Sequence, residues 1–177
     1  MEKHIYPYET NNESYNKLVG IGLRNEHMND FLNEENINSH YPKWLEVHSD
    51  NYLYSSNSKE YLCKVREKYQ LSMHGVGMSL GSNNISTRYL KKIKELINDI
   101  DPFLISEHLS WSSIKDIYIP DLIPIPYNKE SYRRFADNIN YVQDYLKRQI
   151  IIENPSSYLI YKNNDFTETE FLNLIAQ

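Results

Sequence analysis

The sequence contains very little cysteine: Cys63 is the only one in 177 residues. A single cysteine excludes a disulfide within the chain and is typical of proteins from a reducing compartment. Cys63 falls in a predicted helix, and no charged activator is evident beside it. The sequence therefore indicates a structural thiol and not a reactive nucleophile.

Long apolar runs and an excess of positive charge are also lacking. No segment approaches the ~20 apolar residues that span a bilayer, and the first residues have no apolar signal core. The net charge is −5, and the basic pairs Lys91-Lys92 and Arg133-Arg134 fall on predicted helix surfaces. A nucleic-acid-binding protein usually has a basic face or stripe. We therefore expect a cytoplasmic protein with neither a membrane nor a nucleic acid as its partner.

What the sequence does contain is the composition of an ordinary globular protein. Hydrophobic residues make up 40% and charged residues 24%, and 16 tyrosines bring the aromatic share to 13%. This much aromatic surface is enough to build a core and argues against disorder. The length fits one domain or part of one, so we expect residues 1–177 to form a single domain.

Short β-rich segments alternate with longer amphipathic segments along the chain. Several of the β-rich segments are apolar nearly throughout, which is typical of parallel strands covered on both faces. The predicted strands are Val19–Arg24, Trp44–His48, Gln70–His74, Phe103–Leu109 and Gln149–Asn154. Five successive strand–helix units predict an α/β fold with a parallel sheet and right-handed crossovers.

The predicted helices follow the strands. Two of them have apolar residues at every third or fourth position: Leu90, Ile93, Ile97 and Ile100 in one, and Tyr132, Phe135, Ile139, Val142 and Leu146 in the other. Thr167 and Glu170 form a T-x-x-E capping box that predicts the last helix. A shorter helix is predicted at about Lys59–Lys68, and a weaker one over Asp30–Tyr41. The proline-rich segment Ile119–Tyr127 predicts an ordered loop.

Ionisable residues recur at the carboxyl ends of the predicted strands. They are Glu46, His48, His74, Glu107, His108 and Glu153. In βα folds this edge of the sheet faces the ligand. A lone histidine there would more often be a core residue, but His74, His108 and Glu153 end three successive strands. Two imidazoles and a carboxylate suit zinc, iron or manganese, so these three residues predict a metal site.

Other polar residues have less specific interpretations. Glu46 either orients a metal ligand or forms an ion pair with Arg24, and the sequence does not favour one over the other. Asp50 and Asn51 are predicted to cap the turn that follows the second strand. His27 and Asn154 are candidates for positions beside the ligands or on the substrate side of the site. No residue is assigned as catalytic.

Six segments occur in a characteristic order along the chain. They are Gly20-Ile21-Gly22-Leu23-Arg24, Trp44-Leu45-Glu46-Val47-His48, His74-Gly75-Val76-Gly77-Met78-Ser79-Leu80-Gly81, Ser106-Glu107-His108-Leu109-Ser110-Trp111, Asp121-Leu122-Ile123-Pro124-Ile125-Pro126-Tyr127 and Glu153-Asn154-Pro155-Ser156-Ser157-Tyr158. Together they resemble the multinuclear non-haem iron-dependent oxidase family, formerly an uncharacterised protein family, which includes the methanobactin biosynthesis oxidase. The resemblance covers nearly the whole chain from Gly20 onward.

The resemblance implies a (β/α)₈ TIM barrel that binds two or three iron ions. It also implies oxygen-dependent oxidation of side chains, often of cysteine, in a ribosomally made precursor peptide that a separate partner protein delivers. By motif match, His74 and His108 would bind one iron, and Glu153 would bridge it to the next.

The sequence differs from the family in its extent. The family continues beyond the helix that matches Thr167–Gln177, with further strands that carry an Asp/Asn pair and later His and Asp ligands. A complete barrel needs ~250 residues. We therefore expect an incomplete barrel, namely the N-terminal part with about five βα units. Such a chain would be a truncated gene product, a fragment, or half of a split protein. We expect it to have little or no oxidase activity alone.

Three alternatives stay open on sequence grounds. A metal-dependent hydrolase or isomerase of the xylose-isomerase-like barrel type would use zinc or manganese at the same residues. A non-enzymatic remnant could pair through its open sheet edge. Glu46 and Glu153 could act as paired carboxylates of a glycosidase, but the sequence does not set their separation.

Overall fold

The computed structural model describes residues 19–33, 42–114 and 117–177. The strands are β1 (Ile21–Gly22), β2 (Trp44–His48), β3 (Gln70–His74), β4 (Leu104–His108), β5 (Trp111–Ile114), β6 (Ile117–Ile123) and β7 (Ile151–Glu153). The α-helices are α1 (Met28–Asn33), α2 (Ser56–Arg66), α3 (Thr87–Ile100), α4 (Lys129–Leu146) and α5 (Glu168–Ile175). Short 3₁₀ helices cover Asn25–His27 and Ser49–Tyr52.

Five strands form one parallel sheet in the order β1-β2-β3-β4-β7. A helix separates each strand of this sheet from the next, so the predicted α/β fold with five βα units is confirmed. The bounds predicted for β2 and β3 are correct, whereas β1, β4 and β7 are shorter than predicted. Pairing in β7 ends at Glu153, two residues before Pro155, which has no backbone N–H to offer a ladder.

One face of the sheet packs against the helices. Side chains alternate along each strand, so Leu45 and Val47 lie on the same face of β2, and both are fully buried. The core that they join consists of residues from several strands and helices, chiefly Leu71, Met73, Ile105, Leu62, Val65, Leu90, Ile93, Leu96, Phe135, Val142 and Phe171. The residues at the alternate positions of the strands lie on the opposite face of the sheet, and they include His48, His74 and His108.

Side-chain caps fix where the helices begin. Ser86 accepts a hydrogen bond from the backbone N–H of Tyr89 at the start of α3, and Asn128 caps α4 in the same way. The predicted capping box of α5 is confirmed, because Thr167 accepts from the N–H of Glu170 and the Glu170 carboxylate accepts from the N–H of Thr167. The predicted apolar stripes of α3 and α4 also lie in or against the core.

The prediction of a loop over Ile119–Tyr127 is wrong for its first half. The residues up to Ile123 belong to β6, which pairs antiparallel with β5 as a two-stranded sheet. Pro120 is tolerated because a strand of a two-stranded sheet has a free edge, where no backbone N–H is needed for pairing. The hairpin lies in the connection between β4 and α4, and therefore at the carboxyl edge of the large sheet.

The five-stranded sheet does not close into a barrel within the described part of the chain. Strands β1 and β7 form its two edges, and the fold corresponds to part of a TIM-barrel-like arrangement. The predicted helix over Asp30–Tyr41 is realised as α1 up to Asn33, and residues 34–41 lie outside the described residues. In the three described ranges, every helix is too short or too polar to cross a membrane.

Candidate metal site

Three adjacent parallel strands bring His74, His108 and Glu153 together. His74 ends β3, and His108 and Glu153 are register partners at the ends of β4 and β7. The Nε2 atoms of His74 and His108 are 3.2 Å apart. Oε2 of Glu153 lies 3.4 Å from Nε2 of His74 and 3.7 Å from Nε2 of His108. One ligand atom from each residue therefore lies within 4.8 Å of the other two.

These separations fit a single ion. Two ligand atoms bound to one ion at about 2.1 Å can be at most about 4.2 Å apart. All three distances, 3.2, 3.4 and 3.7 Å, fall below that limit. Two imidazole nitrogens and one carboxylate oxygen are also a donor set that zinc, iron and manganese accept. The residues predicted from the sequence as ligands are thus arranged as a metal site requires.

His74 is buried and its ring is held from the side away from Nε2. Ser106 Oγ lies 2.7 Å from Nδ1 of His74, and the backbone carbonyl of His74 accepts a hydrogen bond from Ser49 Oγ at 3.2 Å. Burial lowers the pKa of His74, and the neighbouring His108 lowers it further, while Glu153 acts in the opposite direction. The ring is therefore biased toward its neutral form, which is the form that binds metals.

His108 is also buried, but the carboxylate of Glu107 controls its electrostatics. Oε1 of Glu107 lies 3.4 Å from Nδ1 of His108. This contact raises the pKa of His108, against the opposing effect of burial. The two histidines of the site therefore differ. The environment of His74 favours the neutral ring, and the environment of His108 favours the protonated, charged ring.

The loop that follows His74 passes close to two carboxylates. The N–H of Val76 donates to Oδ2 of Asp50 at 3.3 Å, and the N–H of Met78 donates to Oε2 of Glu107 at 3.2 Å. A Cβ atom at Gly75 would lie 2.7 Å from Oε2 of Glu107, so glycine is needed there for the close approach.

Asp50 does not simply cap the turn after β2, as the sequence predicted. Its carboxylate accepts hydrogen bonds from the N–H of Val76 and from the hydroxyl of Tyr89, which lies 3.1 Å from both carboxylate oxygens. Ser49, the preceding residue, also donates to Oδ2 at 3.3 Å, so Asp50 accepts both from its own turn and from residues far away in sequence. Burial, and after it the charge of Asp50, raises the pKa of Tyr89, so this hydroxyl stays a hydrogen-bond donor.

Three other residues named from the sequence have different positions. Glu46 is half-buried on β2, and its charge acts to raise the pKa of His74, whereas Arg24 pairs with Glu26 at 3.9 Å. His27 is exposed, with Glu26 and Asp30 as its charged neighbours. Asn154 directs its side-chain amide to Oε1 of Glu168 at 2.7 Å, at the start of α5. The contacts of His27 and Asn154 are thus with other groups, and not with the three ligand atoms of the site.

Sequence reasoning missed the residues that support the two histidines. Glu107 stood out only as one more ionisable group at a strand end, and Ser106 was not singled out at all. Ser106 could have been found from the register of β3 and β4, because it is the residue that pairs with His74 in the sheet. The contact of Glu107 with Met78 joins residues 29 positions apart and depends on the path of the loop.

Comparisons with known proteins give a consistent result. A model of the family described as "RiPP precursor modification enzyme MbnB/TglH/ChrH" matches residues 18–177. A UPF0276 protein of Vibrio parahaemolyticus is 44% identical over 165 residues, which are 92% of this chain and 56% of that protein. UPF0276 proteins of Psychromonas ingrahamii and Acaryochloris marina are 43% and 40% identical, over 90% and 87% of this chain and 55% of each relative. The chain thus spans about half the length of the curated relatives it matches.

Proposed function

We propose, from the premise that this chain belongs to the MbnB/TglH/ChrH family of RiPP precursor modification enzymes, that it supplies iron ligands to an oxidase that modifies ribosomally made precursor peptides. The observation that carries the proposal is the convergence of His74, His108 and Glu153 at the carboxyl edge of a parallel sheet. The five βα units would be part of a larger barrel, in keeping with a relative of which the matched residues cover only 56%.

The ligand set supports iron as the resident metal. Two histidines and one carboxylate are the donors of the facial triad in non-haem iron oxygenases, which leaves further coordination positions open. When bound, iron would supply the redox chemistry with dioxygen. His74 and His108 would hold the ion through Nε2, and Glu153 would complete the set through Oε2.

Glu153 is suited to bridge to a second ion. Its side chain is 55% exposed, whereas those of His74 and His108 are 7% and 6% exposed. Oε2 faces the two histidines, and a carboxylate has a second oxygen that can bind another metal. A site with two or three irons would require further ligands beyond these three residues, consistent with the relatives' greater length.

The surroundings of the site support a peptide as the substrate. The hairpin β5–β6 lies at the same edge of the sheet, and Ile114, Ile117 and Tyr118 on it are each more than half exposed. Exposed apolar side chains beside a site can bind an extended chain better than a small polar molecule. We further propose that a separate protein delivers the precursor peptide, as the resemblance to multinuclear iron oxidases implies.

Metal identity and turnover together test this function. The chain would be loaded anaerobically with Fe²⁺, Zn²⁺ or Mn²⁺ in parallel, then exposed to air with a cysteine-containing precursor peptide, alone and with added C-terminal half of a relative. Iron-dependent mass changes in the peptide, together with oxygen uptake, are expected in the complemented sample. Hydrolysis that needs zinc or manganese, with no oxygen uptake, would instead indicate the hydrolase alternative.

A further inference from the structure

Glu107 is the most deeply buried carboxylate beside the candidate site, at 1% exposure. Its function is not explained by metal ligation, because it lies outside the cluster of three ligand atoms. A buried carboxylate is costly unless donors surround it. Hydrogen-bond donors must therefore lie within reach of its two oxygens.

The donors around Glu107 come from both sides of the site. Oε2 accepts from the N–H of Met78 at 3.2 Å, in the loop that follows His74. Oε1 accepts from the N–H of His108 at 3.0 Å and lies 3.4 Å from Nδ1 of the same residue. Nδ1 of His108 is buried and makes no hydrogen bond of ordinary geometry among the described residues, so Glu107 is the acceptor that this atom faces.

The other contacts of the two rings agree with one placement of the protons. If Nδ1 of His108 carries its proton toward Glu107, its Nε2 is free to accept from Nε2–H of His74 across the 3.2 Å contact. Nδ1 of His74 then accepts from the hydroxyl of Ser106 at 2.7 Å. Every ring nitrogen has a role in this arrangement, whereas the reverse tautomer of His108 would direct a lone pair at the carboxylate.

We propose that Glu107 is a positioning residue that fixes His108 in the Nδ1–H tautomer and ties this ring to the loop after His74. The effect is to present an unprotonated Nε2 of His108 to the site. The inference deepens the proposed function, which needs that atom as a ligand, but the tautomer itself is a property of the metal-free chain. Carboxylates that hold a histidine in this way are typical partners of metal-binding histidines.

Glutamine is the sharpest substitution because it keeps the size of the side chain. Around Glu107 three N–H groups face two acceptor oxygens. The amide of Glu107→Gln must direct its NH₂ at one of these donors in either orientation. If the NH₂ lies beside Nδ1 of His108, it favours the Nε2–H tautomer, which places a proton on the nitrogen that faces the site. Glu95→Gln, at an exposed position of α3, is the matched control with the same change in charge.

The test is long-range ¹H–¹⁵N NMR of histidine-labelled, metal-free protein, at a pH above the titration of His108 followed in the same spectra. We expect the Nδ1–H form of His108 in the wild type, in Glu95→Gln and in Glu107→Asp, and a shift toward Nε2–H in Glu107→Gln. A wild-type His108 in the Nε2–H form would overturn the inference, even if Glu107→Gln fails to fold.

A metal titration separates this inference from the proposed function. We expect Glu107→Gln to bind Zn²⁺ at least ~10-fold more weakly than the wild type, with Glu95→Gln unchanged. A wild type with His108 as Nδ1–H but no metal affinity would contradict the proposed function and leave the positioning role of Glu107 supported. Equal affinity of Glu107→Gln and wild type would contradict the positioning role alone.

Discussion

Nε2 of His74 and Nε2 of His108 face each other at 3.2 Å, with the two rings in an edge-to-face arrangement whose centroids are 4.5 Å apart. The two residues are 34 positions apart in sequence and are brought together because β3 and β4 are adjacent parallel strands. In the metal-free chain one proton can lie between the two nitrogens. A metal ion between them would displace this proton, which can move to Nδ1 of His74 and be donated to Ser106 Oγ, so a neutral His74 changes tautomer when the metal binds.

Metal affinity should fall as the pH falls, and the titration of His108 should set the pH range over which it falls. A histidine must lose its proton to bind a metal. Glu107 raises the pKa of His108, so the competing proton remains on this ring to a higher pH than usual. Burial lowers the pKa of His74, so this ring remains neutral to a lower pH than an ordinary histidine does.

Zn²⁺ titrations between pH 5.5 and 8.5 would measure this effect. We expect the loss of affinity to begin above the ordinary histidine pKa of ~6.5. Glu107→Gln should move the midpoint of that loss to lower pH, while weakening binding at pH 8. An affinity that stays constant down to pH 6 would be incompatible with His108 as a ligand.

Gly75→Ala should disturb the site through Glu107. The new methyl group would lie 2.7 Å from Oε2 of Glu107, so the carboxylate or the loop must move. Gly22→Ala is the control, because a Cβ at Gly22 has no atom within 4 Å. We expect Gly75→Ala to lower the Zn²⁺ affinity at least ~10-fold and Gly22→Ala to leave it unchanged. Equal affinities for the two variants would show that the close approach of the loop to Glu107 is unimportant.

The last helix should be an integral part of the core. Phe171 on α5 is fully buried, and its ring centroid is 5.1 Å from that of Tyr127. Phe171→Ala should reduce the free energy of unfolding by about 3–5 kcal/mol, as measured by urea denaturation. Ile160→Ala, at a side chain that is 94% exposed, should change it by less than about 0.5 kcal/mol. A small effect of Phe171→Ala would mean that α5 is not docked in solution.

The capping box of α5 gives a smaller and more local prediction. Thr167→Ala removes the acceptor for the N–H of Glu170 and should cost about 1 kcal/mol of unfolding free energy. Thr167→Ser keeps the hydroxyl and serves as the control. The backbone N–H of Thr167, and after it the hydroxyl, lower the pKa of Glu170, so the stability that these two donors give through the carboxylate is present above the ordinary glutamate pKa and is lost as the pH falls through the lowered value. Equal unfolding free energies of Thr167→Ala and Thr167→Ser at pH 7 would contradict the capping role of the hydroxyl.

Much of the fold could be predicted because its signals are local. Short β-rich segments marked β2 and β3 to the residue, and apolar spacing marked α3 and α4. The hairpin could not be predicted, because the prolines of Ile119–Tyr127 argue against a strand unless that strand has a free edge. Whether β5 and β6 form a separate two-stranded sheet depends on tertiary structure.

Of the candidate site, too, one part could be predicted from the sequence and another could not. His74, His108 and Glu153 could be predicted to converge because parallel strands place their carboxyl ends at one edge of the sheet. The contacts that position them could not be. Tyr89 reaches Asp50 across 39 positions, and Met78 reaches Glu107 across 29. Such contacts depend on the path of a loop, which periodicity does not encode.

His74, His108 and Glu153 are expected to bind one metal ion together. The most direct measurement is the metal content of the chain after anaerobic loading with Fe²⁺ and gel filtration, for the wild type, His108→Ala and His27→Ala. His27 is an exposed histidine with other neighbours, so its removal controls for adventitious binding. We predict about one tightly bound ion in the wild type and in His27→Ala, and at least ~10-fold less occupancy in His108→Ala. Equal metal content in His108→Ala and the wild type would contradict the account.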